Sequence, residues 1–394
     1  MIKRINCILI ILIFMFYLLF PIVSVANEEL VTIKFEDKNL YNAISEQLEV
    51  KINSKDNNNL TITMTRENIE SVDTLYNTNS KSIEKLNGLE NFINLTRIGL
   101  ANNKISDISV LSSLVNLTEL NLSYNNIEDI SVLENLTNLT NLDLGNNKIS
   151  NIEALKNLNK LTNLNLGNYE AHNDVNYNNI NDISPLKELI NITNLDLRKN
   201  NVNDISSLNN LIKLTRLSVN SNNVEDIKVL KNLKNLNELD LGYNNIKDIS
   251  ILSSLTNLTI LDLSANNIED ISILSNLSNL TSLGLVMNNI ENIDSLARLT
   301  KLVELNLFSN NIKNINSLQY LTNLTNLTLR NNKIEDISAL RNLINLTSLD
   351  LCLNDIKDIS PLENLTKLVT LELQSNSIND LSLFDKFERK FRNI

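Results

Sequence analysis

The chain has 394 residues, yet only two cysteines, one histidine and no tryptophan. Beyond residue 26 a single cysteine remains, Cys352, so no disulfide can form within the chain. A fold of this length must therefore rest on its own apolar core and not on staples. With His172 as the one histidine, a Ser-His-Asp or Cys-His centre would have to be built on that residue. A metal site from Glu170, His172 and Asp174 is less natural than a solvated loop. There is no Cys/His cluster at metal-ligand spacing and no phosphate-binding glycine loop. No cofactor is implied. Basic residues are outnumbered 35 to 46, giving a net charge of −11. Such a chain is repelled by nucleic acid and by anionic membrane. It suits a partner with a basic patch, most of all at low ionic strength.

Long apolar runs are also scarce. The one that occurs, from Cys7 to Phe20, follows Lys3 and Arg4 and precedes Pro21 and the small residues Ser24-Val25-Ala26. At 14 residues it is shorter than the roughly 20 that span a bilayer. Two basic residues, an apolar stretch and an A-x-A-like site describe a secretory signal peptide cleaved after Ala26. Cleavage removes Lys3 and Arg4 and leaves a net charge of −13. No membrane association is expected after it.

What the sequence has in abundance is one repeat. From Leu95 the pattern L-x-x-L-x-L-x-x-N-x-I-x-D-I-S-x-L-x-x-L-x-x returns every 22 residues, opening at Leu95, Leu117, Leu139, Leu161, Ile192, Leu214, Leu236, Leu258, Leu280, Leu302, Leu324, Leu346 and Leu368. These are thirteen leucine-rich repeats, and the period fixes the architecture. The L-x-L segment alternates as a strand with one buried face does. One such strand cannot bury its own apolar side, so neighbours must stack. In the remainder of the repeat, the spacing of three in Ile246, Ile249, Leu252 and Leu255 suits a short 3₁₀ turn. The expected fold is α/β: a curved solenoid with thirteen parallel strands on its concave face and 3₁₀ turns on its convex face.

An asparagine marks the exit from each strand: Asn103, Asn125, Asn147, Asn178, Asn200, Asn222, Asn244, Asn266, Asn288, Asn310, Asn332, Asn354 and Asn376. Its amide both donates and accepts, so a buried ladder joining adjacent repeats is expected. The N-L-T triplets, such as Asn116-Leu117-Thr118, read as repeat consensus and not as glycosylation sites.

Four segments follow. Residues 1–26 are the signal peptide. Residues 27–94 form a helical cap that ends in a half-repeat. Asp37 caps a helix bearing Leu40, Ala43, Ile44 and Leu48, and Leu60, Ile62 and Met64 alternate as a strand. Thr65 caps a second helix bearing Ile69, Val72 and Leu75, with Met64 and Ile69 at staple positions. Residues 95–380 carry the repeats, with nine extra residues near 168–176 that should loop out at the rim. Residues 381–394, with Phe384, Phe387 and Phe391 at helical spacing, form a C-terminal cap.

The repeat, seen from Asn116 to Leu133, resembles the 22-residue leucine-rich repeats of the bacterial internalin family. The cap is similar too, in Phe35-Glu36-Asp37-Lys38-Asn39-Leu40 and Ile83-Glu84-Lys85-Leu86-Asn87-Gly88-Leu89. The resemblance implies a secreted or surface-held protein that binds host or other extracellular proteins through its concave face. After the repeats there is no immunoglobulin-like domain, sorting motif with apolar tail, or basic wall-binding module. Anchoring and host-cell invasion therefore do not carry over from well-known members. Intracellular phosphatase regulators share the repeat type, but a signal peptide argues against them.

The expected function is non-catalytic binding of an extracellular protein. The alternative is a cell-envelope structural or self-associating protein held by an uncleaved signal. Outward strand positions are mostly small or polar. Against them Tyr243, Ile260, Val286, Met287 and Phe308 stand out as one exposed apolar patch, extended by Tyr124 and Leu353. The recurring acids Asp143, Asp196, Asp240, Asp262, Asp350 and Glu372 read as solvated surface, with Asp196, Asp240 and Asp262 a polar rim. A monomer is expected. Cys352, taken to face outward, could pair two chains through a disulfide.

Overall fold

The computed structural model describes residues 29–76, 78–169 and 177–380. The signal peptide, His172 and the C-terminal cap lie outside the described residues.

Each repeat builds the same loop for the same reasons. Leu239 and Leu241 point inward and are buried. The first of them stands in line with Leu217, Leu261 and Leu283 of neighbouring strands. The return segment then closes by i→i−3 steps. Leu252 N donates to Ile249 O, Leu255 N to Leu252 O, and Leu258 N to Leu255 O, at 2.9–3.1 Å. Three residues per step bring Ile249, Leu252, Leu255 and Leu258 onto one inward face, which is why the leucines recur every third position. The D-I-S motif starts this turn: Asp248 Oδ1 accepts from Ser250 N at 2.9 Å, and Asp270 and Asp129 repeat the bond at 2.8 Å. These convex carboxylates are exposed, and the backbone donors they meet hold them below the usual carboxylate range.

The asparagines form the ladder. Asn266 Nδ2 donates to Leu241 O, Leu263 O and Ser264 O at 3.0, 3.1 and 3.2 Å, and its Oδ1 accepts from Ile246 N at 2.9 Å. One side chain thus satisfies backbone groups of two repeats inside the core. The ladder crosses the nine-residue insertion unbroken. Asn178 reaches back to Leu144 O at 2.9 Å and Leu166 O at 3.1 Å, and Asn168 holds Asn178 N at 2.8 Å. At the far end Asn376 keeps its bonds to Leu351 O and Leu373 O but is only half-buried.

The N-L-T triplets have work that their sequence alone did not disclose. Asn257 Nδ2 donates to Lys234 O, and Asn279 to Thr256 O, both at 2.9 Å. Thr281 Oγ1 donates to Thr259 O at 3.0 Å. Both polar members of a triplet therefore tie each repeat to the one before.

Two expectations for the first 94 residues need correction. The cap is not simply helical. Strands β1 (Leu30–Lys34), β2 (Ser54–Asp56) and β3 (Thr61–Thr65) make an antiparallel sheet with β3 in the middle, beside helices α1 (Lys38–Gln47) and α2 (Arg66–Glu70). Leu75 is not on the second helix. It lies in β4 (Thr74–Leu75), which pairs in parallel with β5 (Arg97–Gly99). The long sheet therefore has fourteen strands where thirteen were expected. Pairing β4 with β5 satisfies backbone groups that a helix would leave as an open edge. Asp37 locks the cap to the half-repeat. Its Oδ1 accepts from Asn39 N and Leu40 N at 2.7 and 3.0 Å, and its Oδ2 from Glu84 N and Lys85 N at 2.7 and 3.2 Å. Gly88 takes φ +108° against the Phe35 ring, where a Cβ would come within 2.5 Å of Cδ1.

Candidate functional site

The concave face carries a groove of about 820 Å³ that runs from Tyr76 beside β4 to Ile260 and Asp262. Its floor is built from the residues two and four places after each opening leucine. These point outward because the strand alternates.

The row at the second place is a directional chain of amides. Arg216 Nε donates to Asn194 Oδ1 at 2.9 Å, Asn194 donates to Asn163, and Asn163 Nδ2 donates to Asn141 Oδ1 at 2.6 Å. At the head of the groove Arg97 bonds Tyr76 Oη at 3.1 Å and pairs with Glu119 at 3.7 Å.

The row at the fourth place is acidic, and it corrects the sequence reading twice. Asp196, Asp240 and Asp262 line the groove floor rather than a rim, with Asp143 beside them, and all four are half-buried rather than freely solvated. Burial pushes the carboxyls of Asp143 and Asp240 up. Asn165 Nδ2 donates to Asp143 at 2.9 Å. Asn220 Nδ2 and Ser218 Oγ donate to Asp240 at 2.9 and 3.0 Å.

Tyr169 stands in the groove where the insertion begins. Its backbone N and O are held by the Asn146 side chain at 2.8 and 2.9 Å. Its hydroxyl donates to Asp196 Oδ2 at 2.6 Å, and the Arg198 guanidinium lies 4.8 Å from its ring centre. Arg198 Nε in turn pairs with Asp196 at 2.9 Å. Burial, then the carboxylate, raise the Tyr169 pKa, so the phenol stays a donor. Glycine is required alongside: a Cβ on Gly167 would meet Arg198 Cγ at 2.8 Å and run into Asp196.

The groove residues Tyr76, Arg97, Tyr169, Arg198 and Arg216 were absent from the sequence-based candidates. A signal existed for three of them. Tyr169 occupies the place of a ladder asparagine, and Arg97 and Arg216 are the basic residues in a row otherwise acidic, neutral or apolar two places after the leucine.

The apolar candidates differ in exposure and in their place on the repeat. Ile260 is on the groove floor and exposed. Tyr243, Met287 and Leu353 are also exposed, but they sit at the strand exit with φ of 53°, 52° and 57°. Tyr124 shares that turn, with φ 56°, and is half-buried. This left-handed turn is where the chain leaves the concave strand, at the rim of the face. Val286 and Phe308, one place earlier, are half-buried. Their place immediately precedes the left-handed residue of the turn.

Cys352 holds the same place in its repeat. It was expected to face outward, but it is 2% exposed, with its thiol against Gln374 of the next repeat. Burial, with Asp350 beside it, pushes the thiol up to about 11. It is a buried, protonated thiol, so the exposed sulfur that a disulfide-linked dimer requires is absent here. Asp350, Cys352 and Glu372 could bring ligand atoms within 4.8 Å of one another. However, the Arg330 guanidinium lies 3.9 Å from both carboxylates, taking the place of a cation.

Comparison with known proteins agrees with this geometry. A family model for leucine-rich repeats in two copies matches residues 93–135, 212–254, 234–276, 256–298 and 300–342. No curated protein matches the chain. Among solved structures, the functional domain of InlJ from Listeria monocytogenes, which includes a cysteine ladder, shares the fold at TM-score 0.71 and 24% identity, over 89% of this chain and 73% of that one. A leucine-rich repeat protein of Leptospira interrogans is 27% identical at TM-score 0.69, over 78% and 79%. An internalin of Listeria monocytogenes, InlF, is 36% identical at TM-score 0.73, over 89% of this chain and 92% of its own. With that identity over nearly the whole length of both chains, this protein belongs to the internalin family of leucine-rich repeat proteins, scaffolds for protein interaction.

Proposed function

We propose that this protein is secreted or held at the cell surface, and that it binds another extracellular protein through its concave face without catalysing a reaction. The groove carries this reading. It is a wide groove on a parallel sheet, lined by anchored arginines, tyrosines and acids, with no second element of the chain built over the sheet among the described residues. Interfaces are enriched in tyrosine and arginine, and the groove concentrates both. The exposed rim residues Tyr243, Met287 and Leu353, with Ile260 on the floor, supply apolar contact beside it.

Secretion rests on the sequence before Asn27. Among the described residues no helix is long and apolar enough to cross a membrane. N-terminal sequencing after fractionation of the native organism tests this. A chain in the medium that begins at Asn27 is expected. A full-length chain confined to the membrane fraction would favour the envelope-protein alternative. Binding is tested by probing an extracellular protein array with the chain and with two variants. Arg216→Ala should weaken the interaction, whereas Lys247→Ala on the convex side should leave it unchanged. An interaction lost in the convex variant and kept in the concave one would refute concave binding.

A further inference from the structure

We propose that the concave sheet face at Glu238, Asp240, Ile260 and Asp262 is an anchor for one basic side chain, lysine or arginine, projecting from the partner protein. This deepens the concave-face reading and rests on it.

The strands pair with Glu238 opposite Ile260 and Asp240 opposite Asp262, about 4.8 Å apart. Residues two apart on a strand share a face. The four side chains therefore mark the corners of one outward quadrilateral, three of them acidic. Among the described residues no lysine or arginine comes within ion-pair distance of these acids, while Asp196 nearby is neutralised by Arg198 at 2.9 Å. Arg198 is committed on both sides, to Asp196 and to the Tyr169 ring. Glu238 stands opposite Arg216 on the preceding strand, so the charge left for a partner is that of Asp240 and Asp262, which have no cation within ion-pair distance among the described residues. Ser218 and Asn220 hold its carboxylate in place, but both are neutral.

The fourth corner identifies the occupant. Every other residue in Ile260's row along the groove is charged or an amide: Arg97, Glu119, Asn141, Asn163, Asn194, Arg216 and Glu238. Ile260 is 42% exposed among them. Lysine and arginine lay an apolar stem on such a surface and keep the charged head among acceptors. A bare metal ion has no use for Ile260, and an acidic partner would be repelled. Both the charge and the apolar corner therefore fit a basic side chain.

The test uses the full chain with methyl-labelled isoleucine and an end-blocked Gly-Ser-Arg-Ser-Gly peptide, titrated by NMR. The Ile260 methyl should shift with the arginine peptide and stay still when citrulline, its neutral isostere, replaces arginine. Asp240→Asn/Asp262→Asn should weaken binding by at least about tenfold, the loss of one charge-assisted contact. The convex pair Glu269→Gln/Glu291→Gln should not weaken it. Arg198→Met, which frees Asp196, should strengthen it. Equal shifts with citrulline, an unmoved Ile260 methyl, or equal weakening in the convex pair would overturn the anchor. If partner binding on the array still depended on Arg216, the anchor would have failed while the concave-face reading stood.

Discussion

The concave face over the first eight repeats and that over the last five use the same backbone, and only their side chains differ. Strands pair in register in both halves, and ladder asparagines are bonded alike. Yet the groove ends at Ile260 and Asp262. Beyond it the floor carries mostly short side chains, such as Ser282, Gly284, Thr328 and Ser348. Before it stand Arg97, Tyr169, Arg198 and Arg216, each anchored to a neighbour. The leucines and asparagines therefore specify a scaffold that is indifferent to function. On the concave-binding proposal, recognition would rest on the two outward rows and on Tyr169, where the insertion begins.

The largest effects should ignore the boundary between the halves. Asn244→Ala and Asn332→Ala each remove one ladder side chain and leave buried backbone groups unpaired, costing about 1–3 kcal/mol. Urea denaturation should give similar losses for both, and little for the exposed Asn267→Ala. A loss confined to one half would mean that the repeats do not share a continuous core.

A second substitution should act only in the groove. Gly167→Ala forces a methyl into Arg198 and Asp196, an overpacking that costs about 1–3 kcal/mol. The first repeat already carries Ala101 at the same place. Unchanged stability and an unchanged Tyr169 environment by fluorescence would contradict the close packing of Gly167 against Arg198 and Asp196.

At the strand exits on either side of the boundary between the halves, Tyr243→Ala/Phe308→Ala should cost about 1–2 kcal/mol of partner binding if the apolar residues supplement the groove. Retained affinity, with the fold intact by circular dichroism, would exclude that contribution.

The smallest effect separates concave from convex acids by sign. Asp240 has a raised pKa, so its contribution to stability is full below its unfolded value and is lost as pH rises through the folded one. Asp240→Asn should therefore raise the melting temperature slightly at neutral pH and lose that advantage in acid. Asp248 has a lowered pKa. Its contribution is present above the unfolded value and is lost as pH falls through the folded one, so Asp248→Asn should lower the melting temperature at neutral pH. Melting curves across pH check both, and equal signs would contradict the electrostatic contrast.

The scaffold was legible because period dictates it. Leu239 and Leu241 alternate, Ile249 and Leu252 step by three, and Asn266 falls where two repeats need a bonding side chain. The cap was less legible. Leu75 has helical spacing to Val72, but the edge of β5 needs a strand, and that need is tertiary. The site was least legible. Val286, Phe308 and Cys352 look outward by simple alternation, but the chain leaves the strand at their place: the first two are half-buried and the Cys352 thiol lies against the next repeat. Tyr169 was passed over because a repeat reading treats the start of an insertion as loop. The acids looked solvated because a period of 22 does not reveal that strands 4.8 Å apart shield one another's side chains.

The most direct test of the central claim compares one bulky change in each half. Asn163→Trp fills the groove, and Asn326→Trp places the same ring in the same row beyond it. Both are assayed, with folds checked by circular dichroism, against a partner recovered from an extracellular protein array. If the first eight repeats carry recognition, Asn163→Trp weakens binding by at least about tenfold and Asn326→Trp leaves it unchanged. Full binding by Asn163→Trp, with loss in Asn326→Trp, would contradict the account.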